Sequence, residues 1–167
     1  MGTQTHPPQL RLKRRHQRQE EIISARPRAR FNVLACGRRF GKDVLGQWLI
    51  ANRAAEGMPV AWFAPTYRMM LDNFRDVSEI CRDAATKINS SEHRIELMTG
   101  GVIDFWSLDV PDVARGRHYA RVIVNEAAMI KNLLEIWTRV IRPTLADLGG
   151  DAWFLSTPRG YNDFHAL

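Results

Sequence analysis

The residues best suited to chemistry stand together in one short loop, CGRRFGKD at residues 36–43. The apolar run 31–35 precedes this loop and the amphipathic segment 44–56 follows it, which predicts a buried strand, a turn and a helix. In that order, successive backbone N–H groups and the positive end of the helix face one point. A polyphosphate binds at such a point, and the Lys42 ammonium would reach its outer phosphates. We therefore predict a phosphate-binding loop, or P-loop.

Two positions of this loop differ from the usual pattern G-x-x-x-x-G-K-[ST]. Cys36 stands where the first glycine is expected, and Asp43 stands where the hydroxyl residue is expected. That hydroxyl normally contacts Mg²⁺, and a carboxylate is also a good oxygen ligand for this ion. We therefore predict that Asp43 contributes to a Mg²⁺ site and that its charge disfavours phosphate binding without metal.

A second pair of polar residues follows the apolar run 122–124. Asn125 and Glu126 come at the carboxyl end of this predicted strand, the edge at which α/β sheets bind ligands. In P-loop NTPases an acid at the first position holds Mg²⁺, and a glutamate at the second activates water. Asn125 has an amide oxygen for this purpose but no charge, so it is predicted as a metal-facing residue that reduces activity. Glu126 is predicted as the general base, with helix capping as the alternative.

The elements that position these residues alternate along the chain. Strands are predicted at 31–36, 60–64, 121–124 and 153–155, and helices at 19–25, 44–56, 66–84 and from about 133 to before Pro143. A turn at 99–101 between two alternating segments predicts a β-hairpin. The fold class is therefore α/β, with a mainly parallel sheet and an inserted hairpin. The segment 109–118 is predicted as a loop.

Composition is that of a globular protein, with 167 residues, 45% hydrophobic and 25% charged. The net charge of +6 lies entirely in residues 1–30. We predict a flexible basic arm at 1–18 and one domain at 19–167; the arm is either solvated or a contact for nucleic acid. No apolar run is long enough for a membrane span, and two cysteines do not form a disulfide framework. The segment 163–167 looks like the start of a longer helix, so a truncated domain is expected.

Five blocks of the sequence resemble the ATPase domain of phage terminase large subunits, in order and spacing, over roughly residues 15–167. They are FNVLACGRRFGKD, AWFAPTYRMM, RIELMTGGVIDFWSLDVPDVARG, RVIVNEAAMI and IRPTLADLGGDAWFLSTPRG. The resemblance implies a three-layer P-loop NTPase fold of the ASCE/RecA-like type. It also implies an ATPase, with ATP and Mg²⁺ as cofactors, that drives double-stranded DNA into a capsid. No nuclease domain is expected within residues 1–167.

The same resemblance implies partners and nucleotide contacts. The partners would be a homo-oligomeric ring of subunits on a capsid portal, a small terminase subunit and no membrane, in the host cytoplasm. Lys42 would bind the β- and γ-phosphates, and Arg39 would act as a cis arginine in the transition state, with Arg38 as its competitor. The full predicted phosphate-binding set is Gly37, Arg38, Arg39, Phe40, Gly41, Lys42, Asp43 and Val44.

The remaining site residues also follow from the resemblance. Gln19, or alternatively Gln17, would read adenine and Phe31 would stack on it; the alternatives are an ordinary helix residue and a core aromatic. Ser156 and Thr157 would couple hydrolysis to motion, or else form only a structural turn. An arginine acting on a neighbouring subunit would be Arg139 or Arg142, with Arg115 and Arg159 as competitors.

Two other functions remain open from the sequence. Asn125 and Cys36 would also suit a nucleotide-binding module with little turnover, and a helicase-like ATPase would use the same catalytic residues. The block at 94–116 and the lack of a second RecA-like domain favour the terminase over the helicase. Hydrolysis abolished by Glu126→Ala would distinguish the enzyme from the module.

Overall fold

A single seven-stranded sheet organises the protein in the computed structural model, which describes residues 9–25, 28–110 and 114–167. The strand order is β1-β7-β6-β2-β5-β4-β3. In this spatial order, β1, β7, β6, β2 and β5 pair with one another in parallel. At the β5 side of the sheet, β4 pairs antiparallel with β5, and β3 pairs antiparallel with β4. The strands are β1 Phe31–Ala35, β2 Pro59–Ala64, β3 Ala85–Asn89, β4 Arg94–Leu97, β5 Val102–Ser107, β6 Arg121–Asn125 and β7 Asp151–Ser156. The α/β class and the inserted hairpin, β4–β5, are confirmed.

Helices cover both faces of the sheet. They are α1 Gln17–Ser24, α2 Lys42–Ala55, α3 Tyr67–Cys81, α4 Leu133–Ile136 and α5 Asp163–Ala166. A π-helical turn, Trp137–Ile141, and a 3₁₀ turn, Arg142–Leu145, continue directly from α4. The predicted end before Pro143 is therefore wrong: Pro143 lies in the first turn of the 3₁₀ segment, where a missing N–H removes no internal hydrogen bond.

Two hydrophobic clusters, one on each face, make the structure three-layered. Alternate side chains of β2 enter different clusters, with Trp62 packing towards α2 and α3 and Phe63 packing towards α4. Both aromatic rings are fully buried. Gly46 of α2 allows the close approach of helix and sheet, because a Cβ atom there would lie 2.8 Å from Leu155. The three-layer P-loop arrangement that the resemblance implied is confirmed.

One strand was not predicted. β3 pairs with β4 in antiparallel register at the edge of the sheet, and α3 ends at Cys81 although a helix was predicted to about residue 84. The central residues of β3, Thr86 and Lys87, are polar and exposed, so the segment has little of the apolar alternation that predicts a strand. Pairing to β4 rather than burial determines its structure.

The described part of the predicted flexible arm lies against the domain. Leu10 and Leu12 pack against the cluster between α2 and α3, and α1 begins at Gln17. Arg11 forms ion pairs with Glu79 and Asp83 of the α3 region. Residues 1–8 of that arm, Pro27 at the predicted end of α1 and residues 111–113 of the predicted loop lie outside the described residues. Within the described ranges, no helix combines the length and the apolar character needed to cross a membrane.

Candidate active site

Three neighbouring parallel strands end at the same edge of the sheet, and each contributes to one cleft. The register pairs Ala35 of β1 with Ser156 of β7, and Leu155 of β7 with Asn125 of β6. The P-loop follows β1, Glu126 follows β6, and Ser156 ends the strand between them. The topology thus brings together the two segments that the sequence predicted as one site, although about 80 residues separate them.

The P-loop has the backbone conformation of a tight turn into a helix. Gly41 has φ 79° and precedes the first residue of α2, Lys42, and Arg39 also has a positive φ of 64°. The Cys36 N–H donates to the Ser156 carbonyl at 2.9 Å, which fixes the start of the loop to β7. Cys36 is buried, and this burial raises the pKa of its thiol. A small neutral residue therefore fills the position of the missing glycine.

Lys42 and Glu126 meet in the cleft. The Lys42 Nζ lies 2.8 Å from Oε1 of Glu126, and both side chains are mostly shielded, with 16% and 20% of their surface exposed. Glu126 adopts the left-handed conformation, φ 49° and ψ 42°. Such a conformation costs on the order of 1–3 kcal/mol in a residue with a side chain. Its carboxylate makes no capping hydrogen bond to the following 3₁₀ turn, so the geometry favours a role in the cleft over helix capping.

Asp43 and Asn125 are also in contact. Desolvation raises the pKa of Asp43, and Glu126 and Asp76 raise it further, whereas Lys42 and a hydrogen bond from Asn125 lower it. Asn125 is 3% exposed, and its Oδ1 has no hydrogen-bond partner in the described structure. Buried polar atoms normally have partners. This oxygen is therefore suited to a ligand or to a water molecule.

Ser156 connects the end of β7 to the segment that follows Glu126. Its buried hydroxyl accepts from the Ala128 N–H at 3.0 Å and donates to the Thr157 carbonyl at 3.2 Å. The Ala128 carbonyl in turn accepts from the Asn162 amide at 3.0 Å. The predicted coupling pair thus contacts the Glu126 turn, with Ser156 making the contact. Asn162 was missed; the only signal for it is an asparagine before the short helix α5, a usual N-cap.

Phe31 lies away from this cleft, and its predicted stacking on adenine stays a prediction. It begins β1, whereas the P-loop follows the end of β1, roughly 13 Å away at 3.3 Å per residue. Its ring packs edge-on against Trp137 with centroids 5.0 Å apart. Phe31 therefore belongs to the hydrophobic cluster beside α4, which was the alternative considered from the sequence.

The side chain of Gln19 contacts the P-loop, and its partners there are backbone carbonyls of the loop. The Gln19 Nε2 donates to the carbonyls of Phe40 at 3.3 Å and Gly41 at 2.8 Å. His16, which the sequence did not single out, lies 2.9 Å from the Phe40 carbonyl through Nε2. Gln17 points away and donates to Glu21 at 3.1 Å. The adenine contact of Gln19 or Gln17 stays a prediction.

The candidate arginines lie in different places. Arg38 and Arg39 are exposed on the P-loop, and Val44 is half-buried in the first turn of α2. Arg139 is exposed and pairs with Glu135 at 3.2 Å. Arg142 lies over the Phe31 ring at 6.0 Å, at the opposite edge of the sheet. Arg115 and Arg159 are also exposed, so the assignment of an arginine acting on a neighbouring subunit stays a prediction.

Known proteins similar to this chain are phage large terminases. No family model matches the sequence. The terminase large subunit of Escherichia phage T5 is 30% identical over 142 residues, which are 83% of this chain and 32% of that protein. The large terminase ATPase domain of Thermus phage P74-26 superposes with a TM-score of 0.76 and 27% identity, covering 92% of this chain and 68% of that one.

A third comparison concerns the fold alone. The large terminase of a thermophilic bacteriophage, in complex with ADP, has a TM-score of 0.63 at 12% identity, covering 85% of this chain and 38% of that one. The sequence relationship to the T5 protein, the superposition on the P74-26 domain and the order of the motifs all agree. The chain belongs to the phage large-terminase family and corresponds to its ATPase domain.

Proposed function

We propose that this domain hydrolyses ATP and that hydrolysis drives double-stranded DNA into a viral capsid. The observation that supports this most strongly is the meeting of Lys42 and Glu126, 2.8 Å apart, at the carboxyl edge of β1 and β6. A phosphate-binding lysine and a carboxylate that can position water are two of the groups that P-loop enzymes use to hydrolyse a phosphoanhydride. The relationship to the T5 and P74-26 proteins supports the same function.

Each group has a defined task in this proposal. The N–H groups of residues 37–43 and the Lys42 ammonium bind the phosphates, where the dipole of α2 adds positive potential. Glu126 releases Lys42 to the phosphates and then orients a water molecule and accepts its proton. Arg39, exposed on the same loop, neutralises charge that develops on the transferred phosphoryl group.

The residues in the cleft fit Mg²⁺. Asp43 has a carboxylate at the start of α2, and the orphan Oδ1 of Asn125 lies beside it on the other segment. In the described ranges, no three His, Cys, Asp or Glu side chains cluster into a metal site, so phosphate and water oxygens would complete the coordination. When bound, Mg²⁺ would neutralise phosphate charge. The acid that usually lies on β6 lies on α2 here.

Coupling to DNA would run through the end of β7. Ser156 hydrogen-bonds the turn after Glu126, so a change at the carboxylate would reach the segment that follows β7. On the N-terminal segment, Arg11 and Arg15 are engaged in ion pairs, whereas Lys13, Arg14 and Arg18 are exposed and suited to phosphate backbones. A homo-oligomeric ring on a capsid portal, an arginine from the neighbour and a small terminase subunit are part of the same proposal.

Steady-state ATP hydrolysis tests this function against a nucleotide-binding module, the alternative that the neutral Asn125 favours. We expect DNA-stimulated turnover that falls steeply with salt. Glu126→Ala should lower kcat at least about 10²-fold, the usual contribution of a general base. Glu96→Ala, which removes an acid on β4, is the matched control and should not change turnover. Nucleotide binding with equal trace turnover in the wild type and Glu126→Ala would support the module instead.

A further inference from the structure

The outer side of the P-loop is held by two side chains of the N-terminal segment. Gln19 Nε2 donates to the carbonyls of both Phe40 and Gly41, and His16 Nε2 lies 2.9 Å from the Phe40 carbonyl. The His16 ring also meets the Phe40 ring edge-on, with centroids 5.0 Å apart. Because a carbonyl can only accept, His16 must donate from Nε2. Three side-chain donor contacts therefore hold two successive peptide groups of the loop, and the Gly41 carbonyl also accepts from the Leu45 N–H of α2 at 3.1 Å.

Fixing these carbonyls also fixes the N–H groups that would face a phosphate. In a planar trans peptide the C=O and the following N–H point in opposite directions. The Phe40 carbonyl belongs to the same peptide as the Gly41 N–H, and the Gly41 carbonyl to the same peptide as the Lys42 N–H. Carbonyls held towards α1 thus direct both N–H groups away from α1. These groups belong to the turn into α2, where an anion would bind.

The Gln19 amide has little capacity left for another ligand. Its Oε1 accepts from the His16 N–H at 3.1 Å, and its Nε2 contacts both carbonyls. The side chain is only 2% exposed. Gly41 is fitted to this contact, since a Cβ atom there would lie 2.9 Å from Gln19 Nε2. Reading a base would require Gln19 to abandon bonds that shape the phosphate site.

The segment that holds both residues is itself anchored to the domain. Arg11 forms ion pairs with Asp83 and Glu79, and its N–H donates to the Ile80 carbonyl. The Arg15 guanidinium lies 3.8 Å above the Trp48 ring of α2 and pairs with Glu20. These contacts attach residues 11–20 to α2, which follows the loop, and to the end of α3. The two side chains that contact the P-loop, His16 and Gln19, which we call the clamp, therefore lie on a segment that is held against the domain.

We propose that His16 and Gln19 are positioning residues that orient the P-loop N–H groups towards phosphate, independently of the base. The proposal rests on the proposed function, because it concerns the same nucleotide site. It predicts that the clamp contributes to binding of any polyphosphate, including one without adenosine. Adenine reading by Gln19 predicts the opposite: an effect on ATP that a base-free polyphosphate does not share.

Three ligands distinguish loop positioning from base reading: inorganic tripolyphosphate, ATP and GTP. Each is titrated into the 167-residue chain in the presence of Mg²⁺, and its affinity is measured by calorimetry. Gln19→Ala should weaken tripolyphosphate and ATP by the same factor, about tenfold for lost hydrogen bonds, with an unchanged ratio of ATP to GTP affinity. Ser24→Ala, at an exposed position on the same helix with no part in the predicted site, is the matched control and should not change either affinity. Thermal unfolding of each variant confirms that the measured protein is folded.

A second variant protects the test against misfolding at the buried Gln19. His16→Phe keeps the ring contact with Phe40 but removes the donor, and it should weaken tripolyphosphate and ATP equally, by roughly threefold to fivefold for one hydrogen bond. Loss of ATP affinity alone, or an altered ratio of ATP to GTP affinity, would overturn the proposal in favour of base reading. Unchanged affinities in both variants would also overturn it. A wild-type chain that binds neither ligand would instead overturn the proposed function.

Discussion

The Lys42 ammonium and the Glu126 carboxylate form an ion pair, 2.8 Å between Nζ and Oε1, that joins the P-loop to the end of β6 across β7. In the proposed function Lys42 binds phosphate and Glu126 faces a water molecule, and the ion pair opposes both tasks. A bound triphosphate would therefore compete with Glu126 for the lysine. Under this proposal, nucleotide binding and the release of the Glu126 carboxylate would be linked through this one contact.

We predict that Glu126→Gln tightens ATP binding while it abolishes turnover. The substitution removes the charge that competes for Lys42 and repels phosphate, so the Kd for ATP should fall, by up to about tenfold for 1.4 kcal/mol. Titration of a fluorescent ATP analogue measures this. Lys42→Ala is the control and should lose binding. Weaker binding by Glu126→Gln would show that the ion pair does not oppose the nucleotide.

The positions of Asp43 and Asn125 predict non-additive effects of exchanging them. Asn125→Asp alone places a second acid beside Asp43, and Asp43→Thr alone leaves the cleft without a metal-facing acid. Both should raise the Mg²⁺ concentration needed for half-maximal ATP binding, whereas the double variant restores one acid and should return towards the wild-type value. ATP titrations over a range of Mg²⁺ concentrations measure the effect. Strictly additive changes would argue against compensation between the two positions.

Ser156→Ala should lower kcat more than it changes KM. The variant leaves the buried Ala128 N–H without its partner at a cost of about 1–3 kcal/mol, and it frees the turn that follows Glu126. Phosphate binding involves other groups and should be little affected. Steady-state kinetics of Ser156→Ala and Ser156→Thr, which keeps the hydroxyl, measure this. A higher KM with unchanged kcat would place Ser156 in binding rather than in coupling.

Stability should decrease at alkaline pH because of Cys81. Burial raises the pKa of this thiol from 9.0 to about 12. Above pH 9 the thiol ionises in the unfolded chain but stays protonated in the folded one, so the free energy of unfolding should fall by about 1.4 kcal/mol per pH unit. Well below pH 9 the thiol is protonated in both states, so Cys81 adds no pH dependence to the free energy of unfolding. Urea denaturation of the wild type and Cys81→Ala between pH 8 and 10 measures the difference in slope. An equal pH dependence of the unfolding free energy in both proteins would contradict this role of Cys81.

The P-loop and the Glu126 strand could be predicted from the sequence because strand, turn and helix follow one another within a few residues. The place of Phe31 could be predicted in the same way, because a residue that begins a strand lies a strand's length from the loop that follows it. The contact of Gln19 with the Gly41 carbonyl could not be predicted from the sequence, because it depends on how a distant segment folds back on the loop. β3 was missed because pairing with β4, rather than its own pattern, makes it a strand.

A crystal structure of the Glu126→Gln variant with ATP and Mg²⁺ tests the central claim most directly. We predict the triphosphate against the N–H groups around Gly41, with the γ-phosphate at roughly 3 Å from Lys42 Nζ. The side chain at position 126 should face the γ-phosphate from the end of β6. ATP bound elsewhere, or position 126 turned away from the phosphates, would contradict the account.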